Sequence, residues 1–409
     1  MTGGTIDHMV SLVVLIAVLM VSMGAFGQII GAAVTYQQNH EVSMKAAELA
    51  NALLLSPGDP NWWGRSDRLP LAFGLQDSDT GGYSLDAFSL SRLSSRLPLV
   101  YYGKTGLWYS NNSLGGHALL VPVANAVNYT TMARLLGVEG SYAFRLTVAP
   151  TLNVSLSELN LNPLRMKVEV TGLTGVIGDA ALSYFVYQVV PQVGQVPSIQ
   201  TVSGTSRTDL AGSATLEFSS VDGSRYAYSV VVYARVGGLS GVGYRCRDII
   251  ADNKIVPLIE SFENRSVLLA HSWDLRSFPP PVEVLDFKAT FLSLAQDFRL
   301  SEIEMADSGG FVRAGQVNYG AGYDHVRVQI PSQNTGILIV AYSSGDYSGI
   351  VAMPWGISVL GFSAVFGGDA SQADWVAVEL RQVSISMISY QAKVAVWKTS
   401  GYQSGRYTP

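Results

Sequence analysis

Between Asp7 and Glu41 the chain has no Asp, Glu, Lys or Arg. Charge is sparse throughout: 14% of the 409 residues carry it, against about 25% in an ordinary soluble protein. No Lys or Arg block occurs and the formal net charge is −5. The electrostatic footprint of a nucleic-acid binder is therefore missing, and no nucleic-acid partner is expected. Cysteine is almost absent as well. Cys246 stands alone, which excludes an intramolecular disulfide and a cysteine-based metal cluster. It does not exclude an extracytoplasmic location, because a chain this long can bury real cores without disulfides. The five histidines (His8, His40, His117, His271 and His325) are scattered singly, with no H-x-x-x-H pair to hold zinc. No G-x-S-x-G marks a hydrolase nucleophile. No catalytic residue, cofactor or metal ligand is assigned.

What is present begins with the uncharged segment. Residues 9–33 are broken only by Ser11, Ser22, Gln28 and a few glycines. As a helix this stretch spans about 37 Å, enough for a bilayer core of about 30 Å. A globular helix of that length would show a polar face, and none appears, so lipid is the better solvent. A cleaved secretory signal needs a basic start and a shorter apolar run, and residues 1–8 hold no Lys or Arg. A retained anchor is predicted. From 36 to 55 there is no Pro or Gly, and Val42, Ala46, Leu49, Ala50 and Leu53 recur on one helical face. Glu41 and Lys45 stand in the favourable i,i+4 order. The helix is expected to continue to the stop Ser56-Pro-Gly-Asp-Pro60, about 65–70 Å in all. Gly27 and Gly31 form a G-x-x-x-G on it, a face on which helices approach closely in lipid.

Beyond the helix, residues 84–97 predict a short helix capped by Ser84, and 124–136 another stopped by Gly137. "SYAFRLTV" alternates apolar and polar, as a half-buried strand does. From about 156 the chain is strand and turn: "RMKVEVTG", "ALSYFVYQVV", "GSATLEFSS", "RYAYSVVVYARVGG". Asp209 and Gly212 suit a turn that points Ala214, Leu216 and Phe218 into a core. A Pro-rich hinge at 277–284 precedes further strands, which predict a second sandwich or jelly-roll.

The order of "AAELANALLLSPGDPNWW", "FGLQD", "SLDAFSLSRLSS", "NYTTMARLLGV" and "SYAFRLTV" resembles archaeal surface proteins with a type IV pilin-like N-terminus. The likeness covers about residues 1–149. "SGTSRTDLAGSATLEF" is similar to a turn and strand of immunoglobulin-like modules in surface adhesins. The chain departs from a prepilin in two places. Gly3-Gly4 lacks a preceding basic residue, and Met9 stands where the family's fifth mature position carries Glu.

The expected fold is α+β, mostly β. A transmembrane helix extends into an amphipathic one over 1–55. A pilin-like α+β head follows over 56–155, an immunoglobulin-like β-sandwich over 156–248 and a second β-domain over 249–409. N-x-[ST] triplets at Asn111, Asn128, Asn153 and Asn264 permit glycosylation.

Three further features favour bland readings. Asp77-x-Asp79-x-Gly81 resembles the start of a calcium loop, but Phe88 stands where an EF-hand needs Glu, so a solvated turn is expected. Glu302, Glu304 and Asp307 are read as a solvent-facing strand edge rather than acid–base partners. Trp62 and Trp63 are expected to pack the helix end on the head, and Tyr101, Tyr102 and Tyr109 to be buried strand residues.

The resulting expectation is a non-enzymatic, single-pass cell-surface protein with its C-terminal bulk outside. Its partners would be membrane lipid, copies of itself through the N-terminal helix, and a surface glycan or protein. The alternatives are a monomeric anchored ligand-binding protein and an extracytoplasmic hydrolase.

Overall fold

The computed structural model describes residues 3–93, 99–114, 117–192, 194–249, 254–275, 284–318, 326–371 and 373–399. A long N-terminal apolar helix leads into a mostly β body built of five sheets. Helix α1 (Gly3–Leu54) runs 52 residues without a break, about 78 Å at 1.5 Å per residue. It stops at Ser56-Pro57, because the residue before a proline is pushed out of the α region. The following turn needs glycine at Gly58, where φ is +82° and a Cβ would lie 2.7 Å from the Ala72 carbonyl oxygen.

The second half of α1 is buried as its pattern predicts, with Val42, Ala46, Leu49, Ala50 and Leu53 at most 4% exposed. The cover comes from the far end of the sequence. A four-stranded antiparallel sheet, ordered Ala364–Gly367, Tyr142–Pro150, Ile388–Lys398, Ala377–Ile385, lays its last two strands on the helix. Phe144, Leu146, Val148, Tyr390 and Val394 share a core with the helix face. The expected Glu41–Lys45 pair is not made. Lys45 binds Glu48 at 2.8 Å, and Glu41 is drawn to Lys398 at 2.8 Å on that C-terminal strand.

Residues 153–247 form a β-sandwich. One sheet is ordered Ser213–Phe218, Leu164–Gly172, Asn153–Leu161, and the other Leu239–Arg247, Tyr228–Val236, Ala181–Gln192, Gln195–Arg207. Its third and fourth long strands, Ala181–Gln192 and Gln195–Arg207, pair with each other as a hairpin within the second sheet. The predicted turn is present: the Ser213 backbone N–H donates to Asp209 Oδ1 at 2.8 Å, and Gly212 has φ +70°. Ala214, Leu216 and Phe218 point into the core. At Gly243 a Cβ would come within 2.3 Å of the Val154 carbonyl oxygen, so only glycine lets the two edge strands close the sandwich.

The strand Tyr228–Val236 is buried on both faces. Tyr228, Val230, Val232 and Ala234 enter the sandwich core, while Val231 and Tyr233 enter a second, larger core. That explains its unbroken apolar run, the mark of a doubly covered strand. The second cover is a five-stranded sheet built on Val284–Leu294, Gly336–Ser344 and Tyr347–Trp355.

Rather than closing into a second sandwich, the segment after 249 is shared among three sheets. Its strands Ile255–Ser261, Ser266–His271 and Val326–Gln329 extend the hairpins of 99–122 into a six-stranded sheet, through a parallel pairing of Leu258 with Leu120. The reason is lateral hydrogen bonding: each strand joins the free edge that the fold places beside it, whatever its distance in sequence. The Pro-rich hinge at 277–283 lies outside the described residues.

Candidate functional site

Two features stand out, an uncovered apolar helix and a polar cleft in the body. From residue 9 to 34 nearly every α1 side chain is exposed; Met9, Leu15, Val21, Phe26 and Ile30 are 56–73% exposed. This is one helix long and apolar enough to cross a membrane, with none of its most apolar stretch buried in the protein. Leaving so much hydrocarbon in water costs about 25 cal/mol per Å², so the segment requires lipid or another apolar surface. Gly27 and Gly31 have no atom of the rest of the chain within reach of a Cβ. His40 is exposed and stacks on Tyr36.

The cleft lies beyond the other end of α1. Its volume is about 360 Å³, and its lining comes from the 61–65 loop, the 77–79 turn, the start of α2 (Ala87–Ser91), the 262–265 turn, Gln333 and Trp355. Phe88, Phe262 and Trp355 make a buried aromatic floor, each of the other two 5.6 Å from Trp355. The Trp355 indole N–H is buried and finds no acceptor among the described residues. Arg65 lies 5.3 Å over the Phe88 ring and 3.7 Å from Asp79. Trp62 stands at the rim, 59% exposed. Its neighbour does the opposite: Trp63 is fully buried against Phe73 and donates its indole N–H to the Gly74 carbonyl at 2.9 Å. The expected packing role thus falls to Trp63 alone.

Asp86 caps α2, accepting from the Ser89 N–H at 2.9 Å and hydroxyl at 2.6 Å. The sequence predicts Ser84 as that cap, at the start of a longer helix. Ser84 instead bridges to Ser384, and α2 is five residues long. Burial raises the Asp86 carboxyl above the ordinary carboxylate range, outweighing these donors. Beneath the cleft, Arg92 is fully buried. Its guanidinium donates to the carbonyls of Asn125 (2.8 Å), Arg68 (2.7 Å) and Trp63. Asp67 accepts from the Phe262 N–H at 2.9 Å and the Asn125 amide at 3.1 Å. These two residues tie the walls of the cleft together, and neither was singled out in the sequence. No local signal marks Arg92 as buried, since it stands among Ser89, Ser91, Ser94, Ser95 and Arg96.

The other candidates stay apart. Asp77 folds its own turn, accepting from the Asp79 N–H and the Thr80 hydroxyl, and no group of three metal-binding side chains assembles among the described residues. Glu304 and Asp307 pair with Arg313 on an exposed edge, where Glu302 is also exposed. Tyr102 and Tyr109 are buried, whereas Tyr101 is 47% exposed and leans on Trp108. The Cys246 thiol donates to the Ile350 carbonyl, and burial pushes it up to about 12. Asn128, Asn153 and Asn264 are exposed. Asn128 also caps α3 (Tyr129–Leu135) through its side-chain oxygen, leaving its nitrogen outward. The side chains of Asn111 and His117, and all of His325, lie outside the described residues.

Fold and site together define a class: a mostly β body carried on one helix fit to span a membrane. No protein-family model and no curated protein matches the chain. Among solved structures there is a match to red sea bream transglutaminase at 12% identity, with a TM-score of 0.17. It covers 61% of this chain and 37% of that one, so the match spans little more than a third of that enzyme and carries no argument.

Proposed function

We propose that the protein is a non-enzymatic subunit of a pilin-like surface filament, anchored in the membrane with its β body outside. The observation that carries this reading is the division of α1. One half is apolar and uncovered on all sides, while the other is clamped by a four-stranded antiparallel sheet. An unbroken helix joins the two, so the uncovered half is held at a fixed angle to the body. That suits a part that must meet identical parts in register better than it suits a simple tether. The open Gly27–Gly31 face supports close helix packing between copies, and the likeness of residues 1–149 to archaeal pilin-like proteins points the same way.

Gly27→Leu combined with Gly31→Leu tests it. Neither glycine touches the body, so a single chain keeps its fold. Filaments sheared from cells and viewed by electron microscopy are expected for the parent and lost in the variant. Monomers alone from parent cells, in mild detergent and with no filaments, would overturn the reading.

The cleft favours a second reading, a monomeric anchored protein that binds a ligand. N-terminal sequencing of the native protein separates them. Loss of residues 1–4 supports processing along a pilin route, and an intact Met1 supports a plain anchor.

A further inference from the structure

We propose that the cleft between Trp62 and Trp355 binds a neutral saccharide. This goes beyond the anchoring reading and does not depend on it. The cavity volume, about 360 Å³, is at the small end for ligand pockets, about 300–1,000 Å³. It has room for a short sugar.

Its chemistry discriminates among ligand classes. Donors and acceptors are interleaved on the lining: Arg65 and Arg265 donate, and Asp79 and Glu263 accept. A bound cation would satisfy the carboxylates but be repelled by the two guanidiniums. An anion would meet the guanidiniums but be repelled by the carboxylates beside them. A hydroxyl both donates and accepts, so a polyol answers both sets of groups at once. Trp62 supplies what the polar groups cannot, a broad apolar face open to solvent, on which the C–H face of a pyranose can lie flat. An exposed tryptophan beside a preformed polar cleft is otherwise unexplained, since Trp63 does the packing. The walls are set before any ligand arrives, because Arg92 and Asp67 fix the loops that carry them. Little ordering cost remains for binding.

The test uses the full chain in a polyoxyethylene detergent, which has no sugar headgroup. Neutral di- to tetrasaccharides of glucose, mannose, galactose and N-acetylglucosamine are titrated by calorimetry. Trimethylammonium compounds and uronic-acid oligosaccharides serve as charged comparisons. Saturable binding of a neutral sugar is expected, weakened about tenfold or more in Trp62→Ala. Gln333→Ala, on the exposed rim of the same cleft, is expected to weaken it as well. Both positions are exposed, so the variants should keep the parent's thermal midpoint. If Trp62→Ala does not fold, Gln333→Ala alone decides. Absence of neutral-sugar binding at millimolar concentration overturns the proposal, as does binding that Trp62→Ala leaves unchanged or binding of charged probes only. Membrane fractionation and filament microscopy report separately on the anchoring reading, so the two can fail independently.

Discussion

Arg92 carries a charge into the interior of the head, and its guanidinium stays protonated there although burial lowers it to about 10. Three backbone carbonyls and the face of Trp63, 5.2 Å away, take the place of water. Arg92→Met would leave those carbonyls without donors. It is expected to destabilise the protein by about 3 kcal/mol in denaturant unfolding. Arg92→Lys should fare little better, because one ammonium cannot serve three separated carbonyls as a planar fork does. Cys246 makes the opposite case, a half-buried thiol kept neutral. It should resist a disulfide exchange reagent at pH 8 in the native protein and react once unfolded. Its thiol ionises near 9.0 when free and at about 12 when folded. The native state therefore holds the proton longer, and this contribution to stability is full below about pH 9 and lost as pH rises towards 12. Buried Tyr187, Tyr233 and Tyr390 are raised as well. Thermal midpoints should fall steeply on the alkaline side; a flat profile between pH 9 and 12 would contradict this.

Helix α1 is one element in two solvents. Its sequence already divides it, uncharged before Glu41 and amphipathic after. Leu53 is fully buried, and Leu15 is 56% exposed. Leu53→Ala should cost about 2–5 kcal/mol of body stability, whereas Leu15→Ala should leave the denaturation midpoint unchanged. Equal effects would mean that the two halves share one environment. Shorter helices were harder to place. Residues 84–97 and 124–136 read as helices of ordinary length, and among the described residues, which leave out 94–97, the structure gives five and seven. Arg92 and Val127, whose backbones pair with each other, belong to the interior of the head, so tertiary bonds end α2 and delay the start of α3.

At the scale of the molecule, the C-terminal hairpin Ala377–Ile385 and Ile388–Lys398 is what covers the N-terminal helix. Removing residues 377–399 would uncover Val42, Ala46, Leu49, Ala50 and Leu53 together. The truncated protein is expected to aggregate or be degraded rather than lose one module. A truncation that keeps the parent's near-ultraviolet circular dichroism and protease resistance would show that the hairpin is dispensable. The doubly covered strand Tyr228–Val236 has the same consequence inside the body, since the sandwich on one side and the five-stranded sheet on the other share it.

Local chemistry settles the long helix, most of the strands and one turn, though not the lengths of the short helices. The missing charges gave the apolar helix, period-two alternation gave the strands, and Asp209 and Gly212 gave their turn, because each depends on neighbours within a few residues. Which strands meet was decided only by the tertiary structure. Backbone hydrogen bonds across a sheet carry no sequence address, so Tyr142–Pro150 could pair with Ile388–Lys398 without any pattern announcing it. The cleft belongs to the same category. Trp62, Asp79, Glu263 and Trp355 come from separate stretches of the chain, and only the folding of the body around Arg92 and Asp67 brings them together.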